Sequence, residues 1–143
     1  MNTDNKIEHW IILLCWTIVT IGTMGSLFFS EVLLYPPCAL CWYQRIAMYP
    51  LVILFGVGIF QPVKYTIHYT FPIVAIGWFI ALYHNLLHYG IIPESASPCR
   101  SGVPCSTVYV NWFGFLTIPM LSFIAFSIIL IVLIFLNRRI TNE

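Results

Sequence analysis

Residues 65–93 read YTIHYTFPIVAIGWFIALYHNLLHYGIIP, 29 consecutive positions without a single Asp, Glu, Lys or Arg. A bilayer crossing needs roughly 20 mainly apolar residues, with about 17–25 as the usual range. Working outward, three further charge-free stretches flank this one: residues 9–30, 46–63 and 101–137, of 22, 18 and 37 residues. Four crossings consume nearly all of the 143 residues and leave no room for a soluble domain. Composition agrees, since 60% of the chain is hydrophobic and 8% charged, whereas a soluble domain carries about 25% charged residues. The net charge of +1 supplies no footprint for nucleic acid. The fold class is therefore an all-α membrane protein, an antiparallel four-helix transmembrane bundle. Its helices are expected at about residues 10–30, 42–60, 66–88 and 111–136, in one domain spanning 1–143.

The first apolar run, Trp10 to Phe29, is longer than the roughly 7–15 residues of a signal peptide's apolar region. Asp4, Lys6 and Glu8 precede it in place of a basic cluster, and no A-x-A site follows. It reads as a retained helix. Gln61-Pro62-Val63-Lys64 has the length of a tight connector. Pro36-Pro37 interrupts any helix between the first two crossings, because each Pro lacks a donor N–H and restricts its predecessor. The link from about Tyr89 to Val110 is the only long one.

Basic residues orient the bundle. Four crossings put Lys6, Lys64, Arg138 and Arg139 on one side, against Arg45 and Arg100 on the other. By the positive-inside bias both termini are cytoplasmic. Trp10, Trp42 and Trp112 fall near helix ends, where amphipathic rings favour the interface. Gly22, Gly25, Ser26, Gly56 and Gly58 are small enough to allow close helix packing.

Of five cysteines, Cys15 lies inside the first helix and reads as a small hydrophobe. The other four fall in the two extracytoplasmic links. Cys38-Ala39-Leu40-Cys41 opens the second helix just after the proline pair. There the unpaired N–H groups and the positive dipole end favour a thiolate, and the C-x-x-C spacing sets two sulfurs one turn apart. Arg45 follows Cys41 by four residues, so it projects from the same face one turn deeper. At that depth it is a snorkelling anchor or a group that stabilises a thiolate or a quinone oxygen. The second pair, Cys99-Arg100-Ser101-Gly102-Val103-Pro104-Cys105, has the Gly and Pro needed to fold back and close a disulfide. Arg100 favours the anionic form of the Cys99 sulfur, and the polar Ser95–Ser97 lead is expected to be mobile.

Two structural staples would use the same four cysteines. A four-thiolate zinc site usually has C-x-x-C spacing in both halves, and the second pair departs from it. Haem needs facing ligands from different helices; the second and fourth helices contain no His, and in the sole candidate pair, His9 with His68, His9 falls outside the apolar core. No metal is expected. His84 lies at the depth of Cys41 and Arg45, where it could donate to a quinone carbonyl or simply sit at the interface.

With Cys38-Ala-Leu-Cys41-Trp-Tyr-Gln-Arg45, PCRSGVPC and NWFGF assembled, the chain resembles the DsbB family of disulfide-bond formation proteins. It is particularly similar to the short-loop, BdbC-type members, most clearly from Gly25 to about Pro119. The resemblance implies a membrane thiol:quinone oxidoreductase. Its partner would be an extracytoplasmic thioredoxin-fold oxidase, whose dithiol attacks a Cys99–Cys105 disulfide. That pair would reduce Cys38–Cys41, and Cys41, with Arg45, would pass electrons to menaquinone or ubiquinone. Better-known members space the loop pair much farther apart than C-x5-C. In the vitamin K epoxide reductases, a related four-helix family, the two pairs come in the reverse order.

Overall fold

The computed structural model describes residues 3–99, 102–107 and 117–142. Among these, four helices dominate and no strand occurs: α1 (Thr3–Leu27), α2 (Ala39–Gly58), α3 (Val63–His88) and α4 (Ile118–Asn142). Each is long and apolar enough to cross a bilayer. Helices that cross lipid must satisfy every backbone polar group internally, and an unbroken α-helix does so.

The boundaries follow from local chemistry. α1 ends in one widened turn, Phe28–Val32, closed by the Leu33 N–H on the Phe28 carbonyl at 3.2 Å. Leu34 then takes φ 54°, a left-handed conformation that residues with a bulky side chain seldom adopt. Pro36-Pro37 follows, and Cys38 (φ −72°, ψ 169°) caps α2 by accepting the Cys41 N–H on its own sulfur at 3.3 Å. α3 closes with paired bonds, Gly90 N–H to Leu87 O at 3.1 Å and Ile91 N–H to Leu86 O at 3.0 Å. Gly90 at φ 72° occupies the left-handed position that this C-terminal motif requires.

The helices differ from expectation at their ends. α1 begins at Thr3, not near residue 10, because a helix continues into water for as long as its backbone bonds do. α2 begins at Ala39, one turn earlier than residue 42, since Cys38 supplies the cap. α3 starts at Val63, directly after Pro62, which presets the helical entry. α4 runs to Asn142, past Arg138 and Arg139, and its described part begins at Ile118. The expected stretch 111–116, with Trp112, lies outside the described residues.

Consecutive helices pack side by side, while α1 meets α4 over a shorter stretch. Each contributes one buried stripe: Ile12, Cys15 and Val19; Met48, Leu51 and Phe55; Ile67, Val74 and Ala81; Phe126, Ile129 and Leu133. Cys15 is 1% exposed within this stripe, as a small apolar filler. The remaining faces carry exposed apolar residues such as Ile21, Ile53 and Ile131, the surface lipid would cover. Polar side chains tie neighbours together: Trp16 Nε1–H to Val52 O at 3.1 Å, Trp78 Nε1–H to Ser127 Oγ at 2.9 Å and Asn85 Nδ2 to Pro119 O at 2.9 Å. The close-packing role expected of the small residues applies at Gly22, Gly56 and Gly58, which abut Met48, Trp16 and Thr66. Gly25 instead faces open space, and a methyl group added there would meet nothing within 4 Å.

Candidate redox site

Cys38, at the start of α2, and Cys41, one turn on, hold their sulfurs 2.6 Å apart. The C-x-x-C spacing does this by itself, because residues three apart share a helix face. Either thiol can donate across this contact, and a hydrogen bond from Cys41 is the main reason that the Cys38 thiol lies well below the usual thiol range. Burial opposes the shift, and the His84 ring across from it adds to it. With Cys41 as the donor, Cys38 is the more acidic thiol of the pair.

Cys99 and Cys105 form a disulfide with a Cα–Cα separation of 5.7 Å, inside the usual range for such bonds. Their environments differ. Cys105 is 3% exposed, whereas Cys99 is only partly buried. The lead into this pair is tied down more than its polar composition suggests. It makes a short 3-10 turn over Glu94–Ala96, Tyr83 OH donates to Ala96 O at 2.9 Å, and Ser97 Oγ accepts the Cys99 N–H at 3.3 Å. Arg100 lies outside the described residues.

α3 brings the two pairs together. One nitrogen of His84 and the sulfurs of Cys38 and Cys105 all lie within 4.8 Å of one another. His84 Nε2 stands 3.3 Å from the Cys105 carbonyl and 3.8 Å from the Cys38 sulfur. These three groups have the types of donor that a thiophilic metal takes, but the Cys105 sulfur is committed to Cys99 in this state. A small void of about 30 Å³ adjoins them, walled by Cys38, Cys41, His84, His88 and Cys105.

A second, larger cavity of about 430 Å³ opens between α1, α2 and the start of α4. Ile18, Ile21, Leu121 and Ala125 make its wall apolar, and Cys41, Gln44, Arg45 and Ser26 supply its polar groups. Its size is that of a small-molecule site, which typically measures about 300–1,000 Å³. Gly25 belongs to this wall, which explains the open space beside it. Arg45 is fixed there by Ser26, through Nε–H to Oγ at 2.9 Å and Nη2–H to the carbonyl at 3.0 Å, and lies 5.4 Å above the Trp42 ring. Cys41 is the one described cysteine that lines both cavities.

His84 lies at the depth of Cys41, as the sequence suggested, and there it bridges the cysteine pairs while other side chains line the large cavity. The azimuth of α3 against α2 decides this, and no spacing along the chain reports it. Gln44 and Ser26 were missed as site residues. For Gln44 a signal existed, since a polar residue three positions after Cys41 shares its face in an otherwise apolar helix.

A family model described as disulfide bond formation protein DsbB matches residues 8–136. Disulfide bond formation protein C of Bacillus subtilis (strain 168) is 48% identical over 116 residues, covering 81% of this chain and 84% of that protein. A probable disulfide formation protein C 2 of Bacillus cereus is 42% identical over 137 residues, covering 96% and 98%. A probable disulfide formation protein of Oceanobacillus iheyensis is 42% identical over 133 residues, covering 90% of each. No solved structure gives a significant match. With four helices long and apolar enough to span a membrane and two cysteine pairs gathered at one end, the chain belongs to the DsbB family, as a multi-pass membrane oxidoreductase of disulfide bond formation.

Proposed function

We propose that the protein is a thiol:quinone oxidoreductase that re-oxidises a thioredoxin-fold dithiol oxidase outside the cytoplasm, with both of its own termini inside. The observation that carries this reading is the position of Cys41 at the junction of the two cavities. On one side it meets Cys38 and the loop pair, on the other an apolar space with a cation in its wall.

A thiolate of the reduced partner attacks Cys99, the more open sulfur, and Cys105 leaves as thiolate. The partner's second thiolate attacks its own sulfur in the mixed disulfide, which releases the oxidised partner and Cys99 as a thiol. Cys105 then attacks Cys38, within 4.8 Å of it, and Cys41 leaves. Cys99 attacks Cys105 to restore the loop disulfide, so that Cys38 and Cys41 hold the two electrons as a dithiol. Cys41 re-forms its bond to Cys38 as these electrons and two protons depart. A quinone held in the large cavity would supply the two-electron, two-proton acceptor. The cavity fits such a group: its wall is apolar enough for a ring and a lipid-soluble tail. Arg45, held in place by Ser26, offers a positive charge where negative charge develops on an acceptor oxygen.

Anaerobic mixing of the purified protein with a reduced dithiol partner and a short-chain quinone tests this. Quinol should appear optically, in step with partner oxidation. Partner oxidation beyond the enzyme's own two disulfides without quinol would overturn the reading. The order of attack is checked with a partner lacking its second cysteine, which should accumulate as a mixed disulfide through Cys99 in peptide mass spectra. A trap mainly on Cys105 or Cys38 would reverse the order.

A further inference from the structure

A buried amide sits where the chemistry above assigns nothing. Gln44 is 6% exposed, and its Nε2 lies 3.0 Å from His84 Nδ1. The opposite ring nitrogen, Nε2, faces the Cys105 carbonyl at 3.3 Å. A carbonyl only accepts, so His84 Nε2 carries the proton, and a neutral ring then accepts at Nδ1. The Gln44 N–H₂ group is the donor that this tautomer needs.

We propose that Gln44 is a positioning residue for thiol exchange: it fixes His84 as an Nε2–H donor, and this one N–H holds the Cys105 backbone beside the Cys38 sulfur and stabilises Cys38 as a thiolate. Without Gln44 the ring is free to take the other tautomer. It would then turn a bare lone pair toward an anionic sulfur and a carbonyl oxygen, repelling both. The same donor serves both steps in which Cys38 carries charge, because no proton has to move for it to act.

This rests on the reading of Cys38 as the acceptor of loop electrons, yet it is testable without any quinone. Among the described residues, the groups that face the Cys38 sulfur are Cys41 from α2, His84 and His88 from α3, and Cys99 and Cys105 from the loop. The test uses the full-length, fully reduced protein and follows the rate of Cys38 alkylation against pH by peptide mass spectrometry. In Gln44→Met the midpoint should rise, and electron transfer from the loop pair to Cys38–Cys41 in a single turnover should slow by about tenfold, as for loss of a hydrogen bond to a charged group. Gln44→Glu should rescue both. Its carboxylate accepts from Nδ1–H, making the ring a cation that still donates from Nε2, so the midpoint falls to the wild-type value or below it. Equal midpoints in wild type, Gln44→Met and Gln44→Glu would overturn the proposal. Weaker quinone binding in Gln44→Met with an unchanged alkylation profile would also overturn it, and would make Gln44 a cavity-wall residue alone. Should Gln44→Met fail to insert, the ¹⁵N shifts of His84 in the wild-type protein decide. An Nε2–H tautomer supports the assignment and an Nδ1–H tautomer sinks it.

Discussion

Cys38→Ser is expected to reduce quinol formation below detection while leaving one round of partner oxidation intact. The loop disulfide Cys99–Cys105 survives the change, so one equivalent of reduced partner still finds its target. Electrons then have nowhere to go. Cys38 offers the sulfur that lies within 4.8 Å of Cys105, and a serine oxygen cannot form a disulfide with Cys41 or with Cys105. The substitution is mild in structural terms. The Cys38 side chain caps α2 by accepting the Cys41 N–H, and Ser is among the preferred residues for that position. The measurement is a stoichiometry: one oxidised partner per protein, then a halt. Continued turnover would mean that the loop pair bypasses Cys38, and the electron order would have to be redrawn.

Arg45→Ala is expected to slow quinol formation by roughly ten- to a hundred-fold, the equivalent of about 1.5–3 kcal/mol for a hydrogen bond to a charged group. The guanidinium is aimed by two bonds to Ser26 and by the Trp42 ring, so its position in the cavity wall beside Cys41 is fixed before any acceptor arrives. Both disulfides should still form, and exchange with the partner should keep its rate, because neither the loop pair nor Cys38 bonds to Arg45 among the described residues. Arg45→Lys is the informative companion. A lysine keeps the charge but lacks the planar fork that engages both Ser26 acceptors, and it should recover only part of the rate. Unchanged quinone kinetics in Arg45→Ala would leave Arg45 as an interfacial anchor.

The four crossings were legible because lipid imposes one requirement on every spanning residue, and the gaps between charges record it. Helix ends were less legible. At Thr3 and Asn142 the helix outruns the apolar stretch, and at Ala39 the start depends on a sulfur acting as a cap. The two cysteine pairs were readable from spacing alone, since i, i+3 geometry on a helix and a Gly-Pro turn in a loop are local. What joined them was not. That His84 faces Cys38 and Cys105 rather than the large cavity follows from how α3 is rotated against α2. That Ser26 holds Arg45 follows from α1 passing the same level. Such facts lie in the packing of distant segments, where a single chain of letters carries no register.

Cys41 belongs to the walls of both cavities. On the proposed function, a wall built this way passes electrons while it keeps reagents apart. Among the described residues, the side chains that line the large cavity do not include Cys99 or Cys105. A small thiol at the loop face and a lipid-soluble acceptor in that cavity therefore meet different sulfurs. On the proposed function the bundle is an insulated junction: two incompatible pools exchange reducing equivalents through one sulfur, and neither pool short-circuits the other.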